Sequence, residues 1–392
     1  MTTINQGGRV GSIDMARGVV MVLMALDHVR VYSGIPAGGP DPDVFLTRWV
    51  TNFCAPAFVF FAGSSIFLHG ERLRDRGALA RWLVVRGAWL VVLELTFLRL
   101  AWAFNADFAH YMLAGVIWML GWNMILMAAL VQLPLTANAV LGVAIMAGHN
   151  LAARAIGDPR QLPSWESTGW LWKILYFGGG ISTGGSDGPN FWVLYCIIPW
   201  TGVMAAGYAF GAVLRLPPGQ RRRTCYAIGG AAVVGFLAAR SFNYYHDSQP
   251  TPAPRVPVWM YFLTATKYPP SFLFLLMTLG PTIAALPFFE EARGRVAQWL
   301  TIFGRVPLFY YLLHIPLIHA VAVGISLVRS PGATGWLFGN HPMSPGKPPE
   351  GYAWSLGLLY LVTAAVVLAL YFPCRWFAGL KARREDAWLS YL

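Results

Sequence analysis

What most limits this chain is the repeated return of apolar runs about as long as a bilayer is thick. A helix needs about 20 mostly apolar residues to cross the hydrocarbon core, where every backbone polar group has to be satisfied within the segment. Ten candidates of that length follow one another, near residues 12–33, 46–69, 82–104, 109–132, 136–154, 190–214, 224–241, 268–288, 299–327 and 353–374. The ninth is long, and Pro307 and Pro316 are placed to kink or interrupt it. Only 12% of the residues are charged, against about 25% in an ordinary soluble domain. The expectation is an all-α polytopic membrane protein, a bundle of about ten transmembrane helices with no internal repeat and no soluble domain. No small-residue cleavage site follows a short apolar core at the N-terminus, so the first span is expected to be retained.

Charge sets the orientation. With the N-terminus inside, the inner loops hold Arg9, "RLRDRGALAR" (72–81), "RLPPGQRRR" (215–223), "RGR" (293–295) and "KARR" (381–384). The longer outer segments, 155–189, 242–267 and 328–352, carry few cations, among them Arg160, Lys173, Arg255, Lys267, Arg329 and Lys347. The positive-inside rule then places both termini in the cytoplasm.

The net charge of +12 is spread over these short clusters instead of one solvated face, which argues against nucleic acid as a partner. Cys54, Cys196, Cys225 and Cys374 are isolated, with no metal-ligand spacing, so no metal is expected. "GGGISTGGSDG" (178–188) looks like a phosphate cradle. It lacks the GK[ST] ending and the strand–loop–helix setting, and reads as a flexible outer loop.

The informative residues are the polar ones inside apolar spans. Asp14, Arg17, Met21, Met24 and His28 recur at steps of three and four, so they share one stripe of the first helix. Asp14 and Arg17 lie at its inner end, with His28 about 21 Å further along. Lipid would not tolerate that stripe, so it faces the bundle. Asp14 and Arg17 could also simply pair and fix the helix start. Asp27 leaves the helix about 100° from His28 and is expected to pair with an arginine on a neighbouring helix.

Other spans add to the set. Glu94 lies near mid-membrane and Arg99 further out, each expected to meet a partner on another helix. Asn105, Asp107, His110 and His149 follow on the outer side, and Asn52 begins the second span there. Pro56 lacks the N–H that would engage the Asn52 carbonyl, which leaves that oxygen available. His314 and His319 differ by about 140° around the ninth helix, poorly placed to share a metal. Each group alone could be interhelical glue. Together they point to a polar chamber within the membrane, with His28 facing it.

At "GSIDMARGVVMVLMALDHVR" (11–30), "FCAPAFVFFAGSSIFL" (53–68), "KYPPSFLFLLMTLGP" (267–281) and "GRVPLFYYLLHIPLIH" (304–319) the chain resembles the heparan-α-glucosaminide N-acetyltransferase-like family, in particular its bacterial branch. The resemblance implies one transmembrane acyltransferase-like domain over 1–392. It further implies that cytosolic acetyl-CoA donates its acetyl group to an amine or hydroxyl of an extracytoplasmic acceptor, a small molecule or glycan. In the animal lysosomal members an Asn and a His serve catalysis. Aligned through "SIDMARG", the Asn position falls at His28, and the loop that holds the catalytic His is here "SGIPAGGPDPDVF" (33–45), without a histidine.

The residues themselves suit acyl transfer. A neutral His28 can act as general base, and Asn52 or a freed N–H can stabilise an oxyanion. Asp27 completes the catalytic set, with Glu94, Arg99 and His314 in support. The phosphates of coenzyme A call for cations: Arg17 beside Asp14 at the inner mouth, then Arg72, Arg74, Arg221, Arg222, Arg223 and Arg293. Those arginines serve equally well as topology determinants alone. Two other readings stay open, a proton-coupled transporter and a catalytically inactive glycan-binding relative. A homodimer is compatible with all three.

Overall fold

In a computed structural model of the chain, residues 11–156, 169–184, 190–242, 256–340, 348–384, 386 and 389 are described. The elements run α1 (Gly11–Tyr32), α2 (Pro42–Thr51), α3 (Cys54–Leu73), α4 (Arg76–Leu93), a π-helical turn (Glu94–Leu98) and α5 (Arg99–Ala103). Then come β1 (Met112–Ala114), α6 (Val116–Leu130), α7 (Leu135–Ile156), α8 (Trp170–Trp172), β2 (Gly179–Ile181), β3 (Phe191–Val193), α9 (Ile198–Phe210) and α10 (Pro218–Ser241). The chain continues through α11 (Val258–Leu263), α12 (Phe272–Ala284), α13 (Leu286–Glu291), α14 (Arg295–Arg305), α15 (Pro307–Arg329) and α16 (Leu356–Arg383).

The protein is thus predominantly helical. Among the described residues, five helical segments are long and apolar enough to cross a membrane: Pro42–Leu73, Pro218–Ser241, Phe272–Glu291, Pro307–Arg329 and Leu356–Arg383. Val116–Leu130 and Leu135–Leu151 are apolar but shorter. Helix α1, with 22 residues, would span about 33 Å. It includes Asp14, Arg17, Asp27 and Arg30, so hydropathy alone passes over it.

Some of the helices begin where side chains can take their free N–H groups. Asp75 accepts from Gly77 and Ala78 at the start of α4, Ser271 from Phe274 at α12, and Ser355 from Leu358 at α16. The span expected at 299–327 is broken at Val306, where Pro307 opens α15, while Pro316 is accommodated inside that helix. The spans expected at 109–132 and 190–214 start as extended chain. Their first residues form β1 and β3, which pair in parallel, and β2 adds to β3 antiparallel. This corrects the flexible-loop expectation for "GGGISTGGSDG": Gly179–Ile181 is a strand, held because Gly180 pairs with Trp192 and Ile181 with Phe191. Residues 185–189 of that stretch lie outside the described ones.

Helix α1 is central, packed against α2, α3, α13, α14, α15 and α16. Its approach to α14 is close enough to require glycine. A Cβ on Gly18 would run into the Leu300 carbonyl, and one on Gly304 into the Asp14 carbonyl. Small residues of this kind let backbones meet where no hydrophobic effect drives helices together. The result fixes the rotation of α1, and so the direction in which its polar stripe faces.

Candidate active site

His28 stands about three turns beyond Arg17 on α1, buried under three aromatic neighbours. Its ring meets Trp102 edge-on at 4.8 Å and Tyr311 edge-on at 6.1 Å, and stacks on His314 at 4.9 Å. The Nδ1 of His28 lies 2.7 Å from the Nε2 of His314. On its far side, Nδ1 of His314 lies 2.7 Å from the Tyr311 carbonyl.

Those two contacts set the tautomers. A carbonyl oxygen only accepts, so His314 carries its proton on Nδ1 and presents a lone pair at Nε2. His28 then donates from Nδ1, and its own lone pair sits on Nε2. A chain of two neutral imidazoles, anchored on a backbone carbonyl of α15, therefore leaves the outer nitrogen of His28 as a base.

Asp27 turns away from this pair. Its Oδ1 accepts from Arg30 of its own helix at 3.3 Å and lies 3.6 Å from Nη1 of Arg48 on α2. The expected arginine on a neighbouring helix is Arg48, and Arg30 adds a partner within α1. Arg48 also donates to Thr51 and to the side-chain oxygen of Asn52, at 2.8 and 3.1 Å. Asn52 closes α2 instead of beginning the next helix, because the chain turns through Asn52 and Phe53 before α3.

Glu94 and Arg99 enter separate networks. Mid-membrane Glu94 is directed at the start of α6, where its Oε2 accepts from the N–H groups of Ile117 and Trp118 at 2.9 and 3.1 Å. A carboxylate at a helix N-terminus meets free donors and the positive end of the dipole. Arg99, expected to pair with another helix, is held by loops. It donates to the carbonyls of Tyr111, Asn105 and Asp107 and to the side chains of Asn105 and Asn340. His319 is likewise structural, between the carbonyls of Ala101 and Leu337.

At the N-terminal end of α1 a cavity of about 400 Å³ opens among Asp14, Arg17, Arg72, Arg86, Arg305 and Lys381. Its lining also includes apolar Leu90, Ile117, Leu120 and Leu308. Five cations thus border one cavity together with aliphatic side chains. Arg17 also donates to the Phe61 carbonyl at 2.6 Å, and Arg305 lies 4.0 Å from Asp14.

The remaining sequence-predicted arginines do not join them. Arg222 and Arg293 line a second cavity, of about 330 Å³, with Glu290 and Glu291. Arg221 is committed to Glu290 and to the carbonyls of Leu214 and Leu216. Arg223 is exposed on α10, and Arg74 ends α3 in the left-handed region. Acidic neighbours neutralise that second group, whereas the first keeps a positive excess. Sequence reasoning missed Arg86, Arg305 and Lys381 around the cavity, and Arg48 and Lys267 around Asp27. All five were visible as cations at span ends, but nothing local tells which of them turn inward.

Apolar helices of bilayer length around an internal imidazole pair and a basic cavity define an integral membrane protein with a built polar site. A family model described as "Heparan-alpha-glucosaminide N-acetyltransferase, catalytic" matches residues 9–250, and the chain belongs to that family. It is accordingly an N-acetyltransferase-type membrane enzyme. The matched stretch includes His28, Asp27, Asn52, Glu94 and Arg99, while His314 and Arg305 come from beyond it. Comparison with curated proteins finds no match.

Proposed function

We propose that the protein moves an acetyl group from cytosolic acetyl-CoA to an amine or hydroxyl of an extracytoplasmic acceptor, a sugar by the family's chemistry. The observation that carries this reading is the imidazole chain from the Tyr311 carbonyl through His314 to His28. It supplies a buried neutral base with a fixed tautomer, as general-base catalysis needs.

The donor would bind with its phosphates among Arg17, Arg72, Arg86, Arg305 and Lys381. The apolar part of that cavity's lining suits the arm that carries the thioester. Arg17 and His28 are eleven positions apart on α1, a rise of about 17 Å, so the arm would run along the helix. Nε2 of His28 removes the proton of the acceptor N–H or O–H as that atom attacks the thioester carbonyl. The new C–N or C–O bond forms, the C–S bond breaks, and the proton passes to the departing thiolate. Placing the basic cavity inside agrees with the positive-inside bias of the loops, both termini cytoplasmic and about ten crossings in all.

The test is acetyl transfer and acetyl-CoA binding by the purified full-length protein. Micromolar acetyl-CoA binding with transfer that is lost in His28→Ala supports the reading. A folded His28→Ala protein with wild-type transfer would remove His28 from the chemistry.

A further inference from the structure

A group of charges beside the histidine pair is left over by the reaction as described. Arg30 and Arg48 converge on the single carboxylate of Asp27, with Lys267 close enough to act on it electrostatically. Arg30 and Arg48 lie 3.3 and 3.6 Å from its Oδ1. The charge of Lys267 is felt at Asp27, at His28 and at Cys54. Three cations therefore face one anion in a setting where charge is expensive.

Lys267 is the least accounted for. It is 9% exposed, and among the described residues its ammonium has neither a hydrogen-bond nor an ion-pair partner. Its polar company is the face of Tyr268, 5.3 Å away. Nearby, the hydroxyls of Tyr268 and Tyr195 are 3.3 Å apart. The group is not sealed off, since the Arg48 and Asp27 side chains keep 17% and 12% of their surface. A half-compensated cationic cluster with phenol groups at its edge is the arrangement that recognises an anion carried on a polyhydroxyl framework.

We infer that Lys267, with Arg30 and Arg48, forms a subsite for an anionic group of the acceptor, a carboxylate or a phosphate held close to the atom that receives the acetyl group. This rests on the acyl-transfer reading above. The bound anion completes the charge balance around Asp27. It also offsets the positive charge that His28 acquires when it takes the acceptor proton, a charge the three cations would otherwise oppose. A neutral acceptor leaves that opposition in place, so the subsite selects for charge as well as binding it.

The experiment is calorimetric binding of glucuronate, glucose 6-phosphate and glucose to the full-length protein in zwitterionic nanodiscs without donor. At least one charged sugar is expected to bind about tenfold or more tightly than glucose, and which one tells carboxylate from phosphate. Lys267→Met is expected to remove most of that preference and Lys267→Arg to keep it. Equal binding of all three sugars, binding of none, or an unchanged preference in a folded Lys267→Met protein overturns the subsite. Acetyl-CoA binding is measured on the same preparations. Charge-selective sugar binding without acetyl-CoA binding leaves the subsite standing and removes the transfer reading instead.

Discussion

Two imidazoles 286 positions apart in the chain, those of His28 and His314, meet nitrogen to nitrogen at 2.7 Å. The contact gives each ring one defined proton, because the Tyr311 carbonyl can only accept. His28→Ala is therefore expected to lower kcat by about a hundredfold or more, the usual contribution of a positioned base. His314→Ala leaves the base in place but frees its tautomer, for a loss of about ten- to a hundredfold. His314→Gln should recover part of it, since an amide oxygen can accept from Nδ1 of His28. Steady-state acetyl transfer on the three variants checks this, and an unaltered kcat in His314→Ala would show that the second ring is dispensable.

The two groups of arginines are expected to behave differently. Arg72→Gln, Arg86→Gln and Arg305→Gln should each weaken acetyl-CoA binding about three- to tenfold, the worth of one charge-assisted contact. Arg222→Gln and Arg293→Gln should leave it unchanged, because those side chains line the second cavity with Glu290 and Glu291. Donor titrations by calorimetry distinguish the sets. Equal losses in both would mean that the donor does not select the cavity at the start of α1.

The contact between α1 and α14 makes a stability prediction. Gly18→Ala and Gly304→Ala each place a methyl group against a backbone carbonyl, which cannot swing away as a side chain does. A loss of about 1–3 kcal/mol is expected for each, in the range of overpacked cores. Gly230→Ala, with nothing within 4 Å of the added carbon, serves as the control. Thermal unfolding in detergent reads all three, and a wild-type midpoint for Gly18→Ala would refute the close approach.

Acid sensitivity should appear in the turn after α5. The His110 ring, 2.7 Å away, and then Asn340 at 2.8 Å hold the Asp107 carboxyl below its ordinary range. A carboxyl with a lowered folded-state pKa stabilises above its unfolded value and loses that contribution as pH falls through the folded one. Wild-type unfolding temperatures should therefore drop below about pH 4 more steeply than those of Asp107→Asn. Parallel curves for the two proteins would sever the link.

Much of the architecture was legible because it depends on local sums. An apolar run of twenty residues has one physical outlet, and Pro307 ends a helix from its own ring geometry. The stripe from Asp14 to His28 followed from helix periodicity alone. Less was legible where the environment intervenes. Gly179–Ile181 reads as a loop because glycine has no strand preference, and it becomes a strand only when Phe191–Val193 offers a ladder. Arg99 carried no mark that its partners would be loop carbonyls and not a helix.

The candidate site divides the same way. The sequence by itself determined that this is a membrane bundle, that α1 presents Asp14, Arg17 and His28 to its interior, and which family it resembles. The first two conclusions rest on length, period and composition, which each segment carries alone, and the resemblance rests on motifs such as "SIDMARG" and "FAGSSIFL". Only the tertiary structure decided that His314 caps His28, that Arg48 joins Asp27, and that Arg305 joins Arg17 while Arg222 and Arg293 do not. Such pairings depend on the rotation and register of helices far apart in the chain, set by close contacts such as Gly18 against Leu300. No window of neighbouring residues contains that information.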